Sequence, residues 1–205
     1  MPRTQVDRRN EAEHALLEAS VRLFAARGID QTSLADIGAA AGYSRGLVNH
    51  HFGTKAALVE RLAERAQGAF VERVARNGGD ELGALVCLAG AYLEEVSGAG
   101  EHSRAFFVMW GAALPYDSAL RPVFVAGDAR FRDGVAAVVR AGQKNGTVSG
   151  DVSPLGFAVA LVGMLRGVAA QFLVDPGGVD VAATRAACEH FVRATLAPPS
   201  KPGTR

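Results

Sequence analysis

Cysteine is scarce: the 205 residues hold two, Cys87 and Cys188. Two exclude a disulfide framework and a cysteine metal cluster, and read as buried small hydrophobes in a reducing compartment. An excess of either charge is missing too. Lys and Arg total 22 against 21 Asp and Glu, for a net +1. That excludes a bulk nucleic-acid coat and a polyacidic tail. It leaves room for a small DNA-binding face, which needs only a few placed donors. The opening MPRTQVDRRNEAEH has no apolar signal-peptide core. In the most apolar stretch, Leu155 to Val174, Arg166 and Gln171 leave an uninterrupted run of about 11 residues. A spanning helix needs roughly 18–20, so a buried helix of a soluble protein is expected there. There is no HExxH, P-loop or GxGxxG, and no metal or cofactor is expected. Asn145-Gly146-Thr147 matches a glycosylation sequon but reads as a helix-ending turn. No alternating run flanked by hairpin turns, internal repeat or low-complexity tract occurs.

Helical periodicity is what remains. Ala12, Ala15, Leu16, Ala19 and Leu23 form an apolar stripe in a helix over 6–27, and Gly28 stops it. Thr32 or Ser33 caps a short helix over 34–41, with Asp36 in its first turn, and Gly42 ends it. Ser44 caps a third, to about His51; Gly53 breaks it, and Thr54 caps a fourth over 55–77. At 1.5 Å per residue the fourth is roughly 35 Å long. Gly78-Gly79-Asp80 is the first strong boundary signal. Further helices are expected over 81–97, 102–114, 121–144, 154–173 and 180–197, with Pro198-Pro199 ending the last and SKPGTR a frayed tail. The class is all-α. A helix-turn-helix unit over 1–54 precedes a larger bundle over 55–205, joined by the connecting helix 55–77.

The stretch TSLADIGAAAGYSRGLVNHHFGTKAAL, Thr32 to Leu58, holds two short helices around a tight glycine-containing turn. On the third helix Val48 and Phe52 face inward, Gly46, Leu47, Asn49 and His50 face outward, and Arg45 lies on the flank of the first turn. This set suits a major-groove reader. Arg45 can bond guanine in a bidentate pair, Asn49 can pair adenine, and Leu47 can touch a thymine methyl. Gly46 lets the backbone approach closely. Ser44, Thr32, Ser33 and Thr54 stand at helix starts, where hydroxyl and N–H groups suit phosphate oxygens. Lys55 opposes its own helix dipole, and a phosphate partner explains it. A solvated polar face accounts for the same pattern, so the spacing alone leaves both readings open.

The sequence ALLEASVRLFAARGIDQTSLADIGAAAGYSRGLVNHHFGTKAAL resembles the DNA-binding domain of the TetR/AcrR family of transcriptional regulators, over about Ala15 to Leu62 without a gap. The carriers are the Leu23-Phe24 to Gly28 spacing, Thr32, Asp36-Ile37, Ala41-Gly42, Ser44, Gly46, His51-Phe52, Lys55 and Leu58. The resemblance implies an all-α homodimer. Its first three helices form a DNA-binding head, and a C-terminal bundle holds a ligand pocket and the dimer interface. By motif position Ser44, Arg45, Gly46, Asn49 and His50 fall where the family reads bases. Thr32, Ser33, His51, Thr54 and Lys55 fall where it holds phosphates. The family often carries tyrosines before its His-Phe pair, where Asn49 and His50 stand here. Two adjacent histidines then give DNA affinity that rises below about pH 6.5. Through Ala66, nine Lys and Arg face eight Asp and Glu, so specificity must come from placement. Arg3, Arg8 and Arg9 read either as a basic arm or as a solubilising tail.

In the bundle, AFFVMWGAA concentrates Phe106, Phe107, Met109 and Trp110, with Phe124, Phe131, Phe157 and Met164 on neighbouring helices. These residues read equally as packed core or as the wall of an apolar cavity. The resemblance favours a pocket for a mainly apolar or amphipathic small molecule, with Tyr92, His102, Arg104 and Tyr116 as polar anchors. Gly163 and Gly167, four apart, with Ala169, Ala170, Ala183, Ala187 and Phe191, suit a close-packed helix interface. The resemblance implies that the last two helices pair with their symmetry mates. Arg166 needs an acidic partner from its own or the partner subunit. The expected function is a cytoplasmic, ligand-responsive repressor, released from double-stranded operator DNA by its effector. Two rivals stand. One is a helical protein-interaction module. The other is a serine hydrolase using Ser44, since Gly42-Tyr43-Ser44-Arg45-Gly46 matches G-x-S-x-G, although that motif requires a preceding strand.

Overall fold

A computed structural model of the chain describes residues 4–74, 80–98 and 100–198. Arg3, the end of the expected connecting helix at 75–77, Gly78-Gly79 and the tail from Pro199 lie outside the described residues. Among the described residues there are nine helices and no strand: α1 (Gln5–Arg27), α2 (Leu34–Ala41), α3 (Arg45–Phe52), α4 (Lys55–Val74), α5 (Glu81–Gly98), α6 (Gly100–Ala112), α7 (Arg121–Asn145), α8 (Pro154–Val174) and α9 (Val181–Leu196). The helices start where the side chains supply caps. Thr4, Ser33, Ser44, Ser153 and Asp180 each accept a bond from an N–H of the following first turn.

The chain divides into two compact units. The first comprises residues 1–67 and 100–125. Its core joins Leu16, Phe24, Ile37, Val48 and Leu58 to Met109 and Phe124. Of its expected stripe the α1 helix buries Ala12, Leu16 and Ala19 and half-buries Ala15 and Leu23, and it encloses Leu17, Ser20, Val21 and Phe24 besides. Helices α2 and α6 both pack on α1. The Ser20 hydroxyl, which has no water to turn to, donates to the Leu16 carbonyl at 2.7 Å. The Glu18 carboxylate gathers His102 of α6 at 3.1 Å and Arg65 of α4 at 4.0 Å.

The second unit comprises 68–99 and 126–205. Helices α5, α8 and α9 pack on one another there, around Leu85, Leu88, Val139, Leu161, Leu165 and Val192. Arg185 of α9 pairs with Glu94 of α5 and with Glu189 on its own helix. Cys188 is buried in this core, and burial pushes its thiol up, whereas Cys87 is exposed on α5. Only one of the two expected buried cysteines is therefore a core residue.

Helix α8 also departs from expectation. It is long and apolar enough to cross a membrane despite Arg166. Packing, rather than a shortage of apolar residues, gives it a core position: Phe157, Leu161, Leu165 and Leu173 are buried in the unit. Arg166 forms a bidentate pair with Asp128 of α7 at 2.5 and 2.6 Å. Burial opposes the guanidinium charge, and the bonds and charge of Asp128 more than offset it.

Candidate nucleic-acid interface

The α2–turn–α3 element is built from short-range bonds. Ser33 and Asp36 form a capping box, in which each side chain accepts the other's backbone N–H. Asp36 is also bonded by Arg27 at 3.0 Å, which ties α1 to α2. At the far end Gly42 takes a left-handed conformation, φ 79°, which a side chain would strain. The chain then turns back so closely that a Cβ on Gly38 would lie 2.9 Å from the Tyr43 carbonyl oxygen. The Tyr43 N–H donates to the Gly38 carbonyl at 2.8 Å and closes the turn. Ser44 accepts the Leu47 N–H and opens α3.

Val48 is fully buried and Phe52 half-buried, which fixes the rotation of α3. Arg45, Gly46, Asn49 and His50 are exposed, and Leu47 is half-buried. No described hydrogen bond or ion pair is made by the side chains of Arg45 or Asn49. His51 is half-buried and meets His50 edge-on at 5.8 Å. Burial pushes its imidazole below the usual range. Arg9 and His50 act in the same direction, and Glu13 opposes them. Thr54 accepts the Ala57 N–H, and the Lys55 ammonium reaches back to the Asp30 carbonyl at 3.5 Å.

Thr32 needs correction. Its side chain is fully buried and its hydroxyl donates to the Gly28 carbonyl at 2.8 Å, so it braces the α1–α2 turn and offers a phosphate nothing. The Ser33 hydroxyl is committed to Asp36 at 2.7 Å. The hydrolase reading also fails on geometry, because the Ser44 motif lies between two helices rather than after a strand. Gly38 and Arg27 are contributors that the sequence reading missed. The only local signal was a small residue near the turn.

The expected effector residues are divided between the units. His102, Phe106, Phe107, Met109, Trp110 and Phe124 belong to the first. Phe106 meets Phe107 at 5.6 Å and Phe124 at 5.7 Å, Phe107 meets Trp110 at 6.3 Å, and Met109 is buried. Tyr92, Phe131 and Met164 belong to the second. The Tyr92 hydroxyl lies beside Arg166 and is pushed up to about 12 by burial. Of the expected interface residues, Gly163, Gly167, Ala183, Ala187 and Phe191 are exposed on α8 and α9, and Ala170 is half-buried. Phe191 stacks on Phe157 at 6.4 Å.

Two family models match the chain, and the second takes in residues of both units. Residues 16–62 match the model for bacterial regulatory proteins of the tetR family, and residues 82–197 match that for the C-terminal part of BetI-type transcriptional repressors. The HTH-type regulator ArpR of Pseudomonas putida is 36% identical over 90 residues, which are 43% of this chain and 42% of ArpR. The matched stretch therefore spans about two-fifths of that relative. SmeT, the repressor of a Stenotrophomonas maltophilia multidrug efflux pump, solved with triclosan, superposes with a TM-score of 0.80 at 22% identity, over 94% of this chain and 96% of SmeT. A regulator from Saccharomonospora viridis in complex with choline gives 0.75 at 22% identity, over 92% and 98%. At that identity the two structures speak for the fold alone. The family models, on an all-α chain whose third helix displays an unbonded polar face, are decisive: this protein belongs to the TetR family of transcriptional regulators and is not an enzyme.

Proposed function

We propose that the chain is a cytoplasmic repressor that binds a palindromic operator as a homodimer and is released by a small, mainly apolar effector. The head is residues 1–54 and the sensing part 55–205, with α4 leading from one to the other. The observation that carries the reading is the outward face of α3, where Gly46, Leu47, Asn49 and His50 surround a helix anchored by Val48. Asn49 suits adenine, Leu47 a thymine methyl, and His50 an acceptor on a base edge. Lys55, Thr54 and His51 flank this face and suit the phosphate backbone.

Dimerisation is supported by the exposed apolar and small residues of α8 and α9. Leu155, Val159 and Val174 are more than half exposed, and a Cβ at Gly163 or Gly167 would meet nothing within 4 Å. A twofold axis through this face brings two copies of α8 and α9 into one four-helix interface. Two recognition helices then need about 34–36 Å between them to enter successive major grooves. An effector regulates only through unequal affinity for the DNA-competent spacing and another. The proposed effector rests on the apolar side chains of α6 and the bundle, Phe106, Phe107, Met109 and Trp110 in one unit and Phe131 and Met164 in the other.

The test is selection of duplexes from a random pool, followed by gel shift with an Arg45→Ala/Asn49→Ala variant. The variant is expected to keep its melting temperature and lose the shift. If it binds as well as wild type, α3 is not the reader. Triclosan and choline are then screened for a thermal shift and for release of the selected duplex.

A further inference from the structure

The Asn145-Gly146-Thr147 turn ends α7, as its sequence suggests, and its side chains are tied more closely than a turn requires. The Asn145 amide is clasped at both ends. Its Nδ2 donates to Glu81 Oε1, at the start of α5, at 2.8 Å. Its Oδ1 accepts the Thr147 N–H at 3.2 Å and lies 2.9 Å from the Thr147 hydroxyl, which Glu81 Oε2 shares at 2.9 Å. Gly146 follows at φ 83°, a conformation that favours glycine, and it carries no Cβ to shield its nitrogen. The Gly146 N–H makes no described hydrogen bond, and Asn145 and Gly146 are both exposed to water.

These are the parts of an amide-opening reaction: a carbonyl whose oxygen is held by donors, a neighbouring nitrogen with no other bond, and solvent. We propose that Asn145 is a site of self-modification, where the chain converts its own asparagine to aspartate and isoaspartate. The Gly146 nitrogen gives its proton to hydroxide and attacks Asn145 Cγ. The new N–Cγ bond closes a succinimide ring, the Cγ–Nδ2 bond breaks, and ammonia leaves with a proton taken from water. Water then opens either carbonyl of the ring. One opening gives aspartate, and the other gives isoaspartate, which lengthens the main chain. Thr147 supplies the donors to the oxyanion of the first step.

Either product turns a clasp into a repulsion. Glu81 is held below the usual carboxylate range chiefly by the bond from Asn145. After conversion a second carboxylate stands in place of that donor, and two like charges face each other between α5 and α7. The same corner carries further ties of its unit. Gln143 donates to the Ser149 and Val152 carbonyls at 2.9 and 2.8 Å. The Ser149 N–H donates to the Leu196 carbonyl, at the end of α9, at 2.9 Å. Isoaspartate shifts the chain that enters this corner. Each molecule thus carries a clock that loosens its second unit with age.

The chain has another Asn-Gly pair, Asn77-Gly78, which serves as an internal reference. Full-length wild type, Thr147→Val and Thr147→Ser are incubated at mildly alkaline pH in water enriched in heavy oxygen, and both sites are followed by peptide mass mapping. Wild type is expected to convert Asn145 at least as fast as Asn77, with the label taken up at residue 145. Thr147→Val should slow Asn145 severalfold and leave Asn77 unchanged, and Thr147→Ser should restore the rate. Freshly prepared Asn145→Asp should melt about 2–4 °C below wild type. The proposal is overturned if Asn145 converts more slowly than Asn77, if Thr147→Val keeps the wild-type rate, if Thr147→Ser fails to rescue, or if Asn145→Asp melts no lower.

Discussion

Gly38 lets the turn before α3 lie directly against α2, since a Cβ there would stand 2.9 Å from the Tyr43 oxygen. Its neighbour is a backbone carbonyl, which cannot rotate away. Gly38→Ala must therefore push the two helices apart, at a cost of about 1–3 kcal/mol. The expected outcome is a lower melting temperature together with loss of operator binding, read by calorimetry and gel shift. Half-buried His51 gives the stability of the head a pH dependence. The folded chain holds the His51 proton less tightly than the unfolded chain does. Stability is therefore complete above the ordinary histidine value of 6.5 and is lost as pH falls from there through the folded value. Urea midpoints at pH 7.5 and 5.5 should differ in wild type and converge in His51→Gln.

Among the elements, α8 carries both the least and the most replaceable residues. Arg166 and Asp128 are each mostly enclosed, at 12% and 16% exposure. Removing one partner leaves a buried charge, so Arg166→Met should cost about 3–5 kcal/mol, whereas Arg166→Met/Asp128→Leu should recover much of the loss. Equilibrium unfolding of the three proteins checks the cycle. Gly167, on the open face of the same helix, has the opposite expectation. Gly167→Phe should preserve helicity by circular dichroism and shift the proposed homodimer to monomer in sedimentation.

What was legible in the sequence follows from the range of the interactions. Caps and glycine stops act within four residues, so Ser33, Gly42, Ser44, Gly53 and the Ser153-Pro154 start could be read directly. The end of α6 was misjudged by two residues. The apolar run to Leu114 looks helical, but the Ser118 hydroxyl takes the Ala112 carbonyl and Pro115 disfavours helix before it. The need of Arg166 for an acid was legible, yet Asp128 was not identifiable, because 38 residues separate them and several acids lay within reach. The inward Thr32 hydroxyl was invisible for a related reason: whether a cap-type residue faces out depends on the turn packed above it.

At the scale of the whole molecule, near-neutral charge decides the mode of binding. The chain's net +1 supplies little long-range attraction to DNA. In the proposed homodimer two identical heads act together, so selected duplexes should contain two inverted half-sites centred about 10–10.5 base pairs apart or at a multiple of that. Adding five base pairs between them should abolish binding, and adding a full turn should restore much of it, as gel shift would record. Because Gly46, Asn49 and His50 hold no other part of the protein in place, the scaffold is open to re-addressing. A library randomised at these three positions should yield many stable proteins, and those that bind duplex DNA should select sequences the original does not.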